Sequence, residues 1–334
     1  MMQRSPRQPI LVLTGGVIFL LAALALGLSV GTTKIVPLGG LFDDASRWIF
    51  HIRAPRVFLA ALLGATLAMS GAALQGLLRN PLVSPYTIGV SSGSSLGAVI
   101  ALRFGMEGIF GSLLGLFPMA LAGGMFSMLL LFALSRRSRQ WTGTTLLLSG
   151  ITISFFCSAM IMFIQYTATY QESFKMVRWL MGTMDFITWE QTALLLPFVL
   201  PALIYLNMVG DHLNLLTLGE DTARSSGVSL SRLTILIYLF VSIAVAATVA
   251  LAGPIAFVGL IVPHILRISG VISHRLLLPA SMLFGAGFLI FADTVARVIL
   301  APQQVPVGVI TSLIGGPFFL FLLVHRGTTD THSS

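Results

Sequence analysis

Long uncharged apolar windows recur along the whole chain, separated by short charged or Pro/Gly-rich stretches. A helix needs about 20 such residues to cross about 30 Å of hydrocarbon. The first window lies between Arg7 and Lys34. The second, VFLAALLGATLAMSGAALQGLL, lies between Arg56 and Arg79. The third, 80–102, opens on Pro81 and Pro85, so its helix is expected from about Tyr86. Windows at 108–135, within 140–171 and at 191–210 supply the fourth to sixth. The apolar run 233–266 is too long for one span. AGPIAFVGLIVPH interrupts it with Pro254, Gly259 and Pro263, which divides it into two spans, the second short. Windows 276–298 and 305–324 bring the count to ten, or nine if the long run stays whole. The expectation is an all-α integral membrane protein forming one domain over 1–334.

Composition strengthens this reading. The chain is 56% hydrophobic and 9% charged, whereas soluble domains carry roughly 25% charged residues. The net charge of +8 is dispersed between apolar runs, so it points to membrane topology and not to nucleic acid. Cys157 is the single cysteine, which excludes an internal disulfide. With the N-terminus inside, the inner loops carry Arg4, Arg7, Arg79, Arg136, Arg137, Arg139, Arg224, Arg232, Arg267, Arg275 and Arg326. These outnumber the rest of the 19 basic residues, so both termini are expected in the cytoplasm. The first window exceeds the apolar core of a signal peptide and is expected to remain as an uncleaved span.

Small residues crowd GATLAMSGAALQG (64–76), GVSSGSSLGAV (89–99) and GAGFLIFAD (285–293), as close helix packing in lipid requires. RNPLVSPYTIGVSSGSSLG (79–97) and AGPIAFVGLIVPHILR (252–267) break their spans with proline and glycine, about five spans apart. Corresponding interruptions in two halves point to an internal repeat and a substrate pathway. Asp293 is the acidic residue expected inside a span, and Arg297 follows at i+4, the favourable order for an ion pair. A local pair and a functional role remain alternatives for it. His264, with no second ligand at a fixed offset, reads as a packed histidine. No phosphate-binding loop, metal-ligand spacing or membrane-protease signature is present. With almost no ionisable group inside the spans to act as a coupling site, the energy for transport is expected from elsewhere; the rival is an ion-coupled secondary carrier, for which Asp293 would be essential. Against this apolar background, LTLGEDTARSSGVSLSR (216–232) is conspicuously polar.

RAPRVFLAALLGATLAMSGAALQGLLRNPLVSPYTIGVSSGSSLGA resembles the second and third spans of the iron-chelate and cobalamin permease family. LGEDTARSSGV, AGPIAFVGLIVPHILR, HRLLLPASMLFGAGFLIFADTVAR and VPVGVITSLIGGPFFLFLL resemble its other segments in the same order, over roughly 53 to 324. The resemblance implies the type II ABC importer permease fold, with ten spans per subunit in a bacterial inner membrane. It implies a second copy or a paralogous permease, two ATPase subunits holding ATP and magnesium, and a substrate-binding protein outside; this chain itself carries no cofactor. It places docking of the binding protein at Arg53, Arg56 and Arg297, where guanidinium groups suit carboxylates. It places a cytoplasmic gate at Asn80 and Leu82 with Gly143 and Thr144. It places ATPase coupling in the loop 211–231, at Leu218, Gly219, Glu220, Asp221, Ala223, Arg224 and Gly227. Acidic Glu220 and Asp221 also favour a helix start there, and Gly227 favours its stop. One departure stands out: the family often has an acid before the last Pro-x-Gly turn, where this chain has Gln304. The implied substrates are ferric siderophores, haem, cobalamin or oxyanions, with an iron chelate or haem favoured.

Overall fold

The computed structural model describes residues 8–31, 36, 44–106, 115–137, 143–185 and 187–329. Arg4, Arg7 and Arg139 of the charge count lie outside them, as do the side chains of Arg136, Arg137 and Arg326. Among the described residues the chain is helical, with no strand. The order is α1 (Gln8–Ser29), α2 (Asp44–Leu77), α3 (Val90–Arg103), α4 (Leu116–Arg137), α5 (Gly143–Thr167), α6 (Tyr170–Leu180) and α7 (Trp189–Met208). There follow α8 (Gly210–Thr217), α9 (Glu220–Ser225), α10 (Leu230–Ala252), α11 (Val258–Ile268), α12 (His274–Val298) and α13 (Val307–Thr329). Seven of these, α1, α2, α4, α5, α7, α10 and α12, are long and apolar enough to cross a membrane.

The division of 233–266 is present as α10 and α11. Gly253 (φ 71°) and Phe257 (φ 70°) turn the backbone left-handed on either side of Pro254, which has no N–H to continue the helix. The third span starts at Val90 and not at Tyr86, a correction with a local cause. The Thr87 hydroxyl donates to Ser84 O (2.7 Å) and accepts from Ser84 N–H (3.2 Å), closing a side-chain turn. Gly89 (φ 84°) then starts α3.

Helix α6 falls where the hydropathy windows leave a gap. Thr169 accepts from Glu172 N–H, and Glu172 Oε2 accepts from Thr169 N–H at 2.9 Å, a complete capping box. Thr188 and Gln191 repeat the device at the start of α7.

Helix α2 is the centre of the bundle. Leu59, Leu63, Leu67, Ala68, Met69 and Leu74 are all buried, and α2 packs on α12, α11 and α7. Glycines permit two close approaches. A Cβ at Gly64 would strike the Gly285 carbonyl of α12, and one at Gly71 would strike the Gly259 carbonyl of α11. In lipid such backbone contact supplies the dispersion attraction that water would otherwise provide as a hydrophobic drive. Helix α1 lies against α12, with Phe19 stacked on Phe284 at 5.6 Å. Helix α5, by contrast, leaves Phe155, Phe156, Met162 and Phe163 exposed, a surface for lipid or for another chain. His264 is buried with its ring edge-on to Phe318.

Candidate functional site

Polar side chains gather at the two ends of the bundle. At one end, Arg56 of α2 grips Asp293 of α12. Its Nε donates to both carboxylate oxygens (3.0 and 3.2 Å) and its Nη2 to Oδ1 (2.8 Å). Asp293 is 1% exposed. Arg297 Nε also lies 3.1 Å from Asp293 Oδ2, off the hydrogen-bond direction, so this contact is ionic only. The anticipated i,i+4 pair thus exists, but its carboxylate is shared with a second helix.

The three arginines expected at a docking surface have different surroundings. Arg297 is 4% exposed; its Nη1 donates to Val30 O (3.0 Å), and its Nη2 donates to Gly27 O (3.0 Å) and Thr294 Oγ1 (3.1 Å). Arg53 is 9% exposed and donates to Leu28 O (3.1 Å) and Ser29 O (2.9 Å). Both therefore satisfy the carbonyls that the end of α1 leaves without intrahelical partners, where a cation is also favoured by the helix dipole. That requirement turns both guanidinium forks inward in this structure.

Of the three, Arg56 is seen to line an open cleft among the described residues. The cleft, about 270 Å³, is formed by Ile52, Arg56, Arg178, Asp185, Ile187 and Gln304. Arg56 Nη1 donates to Gln304 Oε1 (2.5 Å) and lies 3.8 Å from Asp185. Arg178 of α6 pairs with Asp185 at 3.0 Å. A neighbouring cavity of about 510 Å³ shares Arg178, Asp185 and Gln304 and extends along Phe174, Val177 and Met181.

At the other end, the turn after α2 is held from two sides. Asn80 Oδ1 accepts from Leu82 N–H (3.0 Å), and Arg79 takes a left-handed backbone (φ 50°). Buried Gln75 donates to Val83 O and to Gly259 O, both at 3.1 Å, and its Oε1 accepts from Arg267 Nη1. Leu82 is exposed, and so is Thr144 near the start of α5. Of Gly143 only the backbone is described. The turn meets α5 further along, where Gly150 packs on Thr87 and Ile88.

The polar stretch forms α9 as its end signals indicate. Glu220 and Asp221 occupy the first turn. At the other end Gly227 (φ 85°) donates to Arg224 O (3.0 Å) and Val228 N–H donates to Ala223 O (3.0 Å). This is the paired 6→1 and 5→2 closure of a Schellman stop, in which glycine carries the left-handed residue. Ala223 is 0% exposed and plugs α9 into the bundle, while Leu218, Glu220, Asp221 and Arg224 face outward. Gly219 precedes the helix at φ 125°. Glu220 Oε1 accepts from Arg79 Nη2 at 2.8 Å, so α9 is joined to the Asn80 turn by a side-chain bridge.

Residues 17–325 match the FecCD transport family. The chain belongs to it. It is 40% identical over 332 residues to the uncharacterized ABC transporter permease protein YvrB of Bacillus subtilis (strain 168), with 93% of each chain covered. It is 36% identical over 328 residues to the vitamin B12 import system permease protein BtuC of Yersinia pseudotuberculosis serotype O:1b, covering 96% of this chain and 95% of the other. Among solved structures, one described as a metal-chelate type ABC transporter in an inward-facing conformation superposes with a TM-score of 0.83 at 34% identity. That match covers 95% of this chain and 99% of the other. As a FecCD protein the chain is a membrane permease subunit of the ABC importer class.

Four polar residues at the two ends of this FecCD chain are not singled out in the sequence: Gln75, Arg178, Asp185 and Asn214, which accepts the His274 backbone N–H at 2.7 Å. A signal existed for one. Thr169-Tyr170-Gln171-Glu172 carries the capping-box spacing that begins α6 and so orients Arg178. For the other three no local pattern announces the long-range partners: Arg56 for Asp185, Gly259 and Arg267 for Gln75, and Ser273 and His274 for Asn214.

Proposed function

We propose that this permease works in a pair, with a second copy or a paralogue, and moves an iron chelate, haem or cobalamin-like molecule inward at the expense of ATP held by separate ATPase subunits. In this reading α1, α2, α3, α4, α5, α7, α10, α11, α12 and α13 are ten spans of a bacterial inner-membrane protein with both termini cytoplasmic. The Arg79 end then faces the cytoplasm and the Arg56 end faces the binding protein. Three of the ten are not among the seven long spans. Helices α3 and α11 are short, and their approaches are the Pro/Gly breaks, tolerable at membrane depth where protein or a wet cavity surrounds them.

The build of α9 is the observation that supports this most directly. A short capped helix, plugged by Ala223 and presenting Leu218, Glu220, Asp221 and Arg224 outward, fits a groove on an ATPase. Its bridge to Arg79 sets it beside Asn80 and Leu82, proposed gate residues together with Gly143 and Thr144. At the opposite end Arg56 is the docking residue for a carboxylate of the binding protein, with Arg178 beside it. Gln304 leaves the Arg56 cleft with less negative charge than an acid there would. Asp293 fits poorly as an ion-coupling group, since guanidinium groups of Arg56 and Arg297 already occupy its oxygens.

The test is reconstitution with the cognate ATPase and binding protein. ATP hydrolysis is expected to rise when loaded binding protein is added, and Arg56→Glu is expected to suppress that rise. Substrate uptake that continues without any ATPase would refute the function. An unchanged rise in Arg56→Glu would refute the docking assignment.

A further inference from the structure

The joint between α8 and α12 differs in kind from the joint between α9 and the gate turn. The N-cap of α12 is Ser273, a residue type that normally caps a helix with its own side chain, yet its hydroxyl makes no such bond. The cap comes from another helix. Asn214 of α8 accepts the His274 backbone N–H on Oδ1 at 2.7 Å and donates from Nδ2 to Ser273 Oγ at 3.1 Å. Gly210, at the start of α8, rests directly on the Arg275 backbone, where a Cβ would come within 2.8 Å of Cα. Leu213 and Leu216 bury the same side of α8. Pro279 removes the intrahelical bond that the Arg275 carbonyl would otherwise receive. The first turn of α12 is thus fastened from outside, by α8.

Helix α9 follows α8 after a single turn at Leu218 and Gly219. At its other end α12 carries Asp293, which holds Arg56, and the segment 299–306, which returns through Val305 N–H to Ala296 O (3.0 Å). One helix of 25 residues, about 37 Å long at 1.5 Å per residue, therefore spans from the ATPase-facing end to the cleft at the other. A helix cannot shorten without breaking its ladder, so displacement of its capped end moves the far end.

We propose that Asn214 is the positioning residue that fastens α8–α9 to α12, and so carries ATP-driven movement at α9 to the Arg56–Asp293 cluster. This rests on the assignment of α9 to an ATPase partner. The Arg79–Glu220 bridge is exposed on both sides and of small energy, which suits a contact that opens. The Asn214 cap is partly buried, charge-independent and backed by a backbone contact, which suits one that persists.

The test uses the complete complex in liposomes. Cys157 is the only cysteine and is buried, so Gln303→Cys, at an exposed position of the 299–306 segment, gives a reporter read with a membrane-impermeant maleimide. ATP with vanadate is expected to change its labelling rate in the parent. Asn214→Ala is expected to reduce that change about fivefold, the scale of a lost helix cap, while the ATPase still co-purifies. Asn214→Asp keeps the acceptor for His274 N–H and is expected to restore the response. A structural defect alone would alter labelling equally with and without ATP. Should Asn214→Ala not assemble, Asn214→Ser replaces it, because serine is too short to reach the amide. A parent-like ATP response in an assembled Ala or Ser variant overturns the proposal, as does failure of Asp to restore it. If the parent itself shows neither ATP hydrolysis nor an ATP response, the ATPase assignment fails instead.

Discussion

Replacing Asp293 by asparagine removes the charge that two guanidinium groups share at the far end of α12. Arg56 would lose its bidentate carboxylate but keep Gln304, and Arg297 would keep Gly27, Val30 and Thr294. The asparagine amide group also points N–H donors at a cation that has none to accept them. Breaking one side of a buried pair costs about 3–5 kcal/mol, and the carbonyls that remain around Arg297 place the expected loss near the low end, about 3 kcal/mol. For a chain of this size that lowers the unfolding midpoint by roughly 4 °C. Cys157, buried in the core, supplies the assay: a thiol-reactive dye reports its exposure during a thermal ramp in detergent. Transport at a permissive temperature is expected to weaken but persist. A midpoint within about 1 °C of the parent would refute the view that Asp293 anchors this end. Complete loss of transport with an unchanged midpoint would favour an ion-coupling role.

Two further outcomes follow from local geometry. Gly71→Ala places a methyl against the Gly259 carbonyl, a backbone atom that cannot swing away; a loss of about 1–3 kcal/mol is expected, read by the same thermal ramp, whereas Gly15→Ala, which meets nothing within 4 Å, is expected to be neutral. Glu172 is held below the usual carboxylate range, chiefly by the Thr169 backbone N–H that it accepts. A carboxylate lowered in the folded state stabilises above its unfolded pKa and loses that contribution as pH falls through the folded value, so the start of α6 is expected to fray below about pH 4. Hydrogen exchange at 169–173 checks this, and Glu172→Gln, which keeps the capping-box geometry, is expected to remove the acid dependence.

The seven long spans were legible because hydrocarbon imposes a length and an apolarity that can be counted residue by residue. The break between α10 and α11 was legible for the same kind of reason: proline and glycine act on their own backbone. Helix α9 could be foreseen from Glu220, Asp221 and Gly227, which act within one or two turns of themselves. Helix α6 was missed although Thr169 and Glu172 announce it, because a hydropathy window averages over an amphipathic helix of this length.

The arginines mark the boundary most clearly. The family resemblance assigns Arg53, Arg56 and Arg297 alike to docking, but the direction in which each fork points is not written in the chain order. That depended on the end of α1, whose unpaired carbonyls draw Arg53 and Arg297 inward and leave Arg56 at the cleft. Asn214 belongs to the same class: nothing near it in the chain marks it as the cap of a helix that starts at His274. What the sequence determined alone has its cause within a few residues: the long apolar windows, their Pro/Gly breaks and the ends of α9. What only the tertiary structure decided was the pairing of polar groups across helices. A buried donor or acceptor must find a partner in three dimensions, and the chain order does not say which helix will bring it.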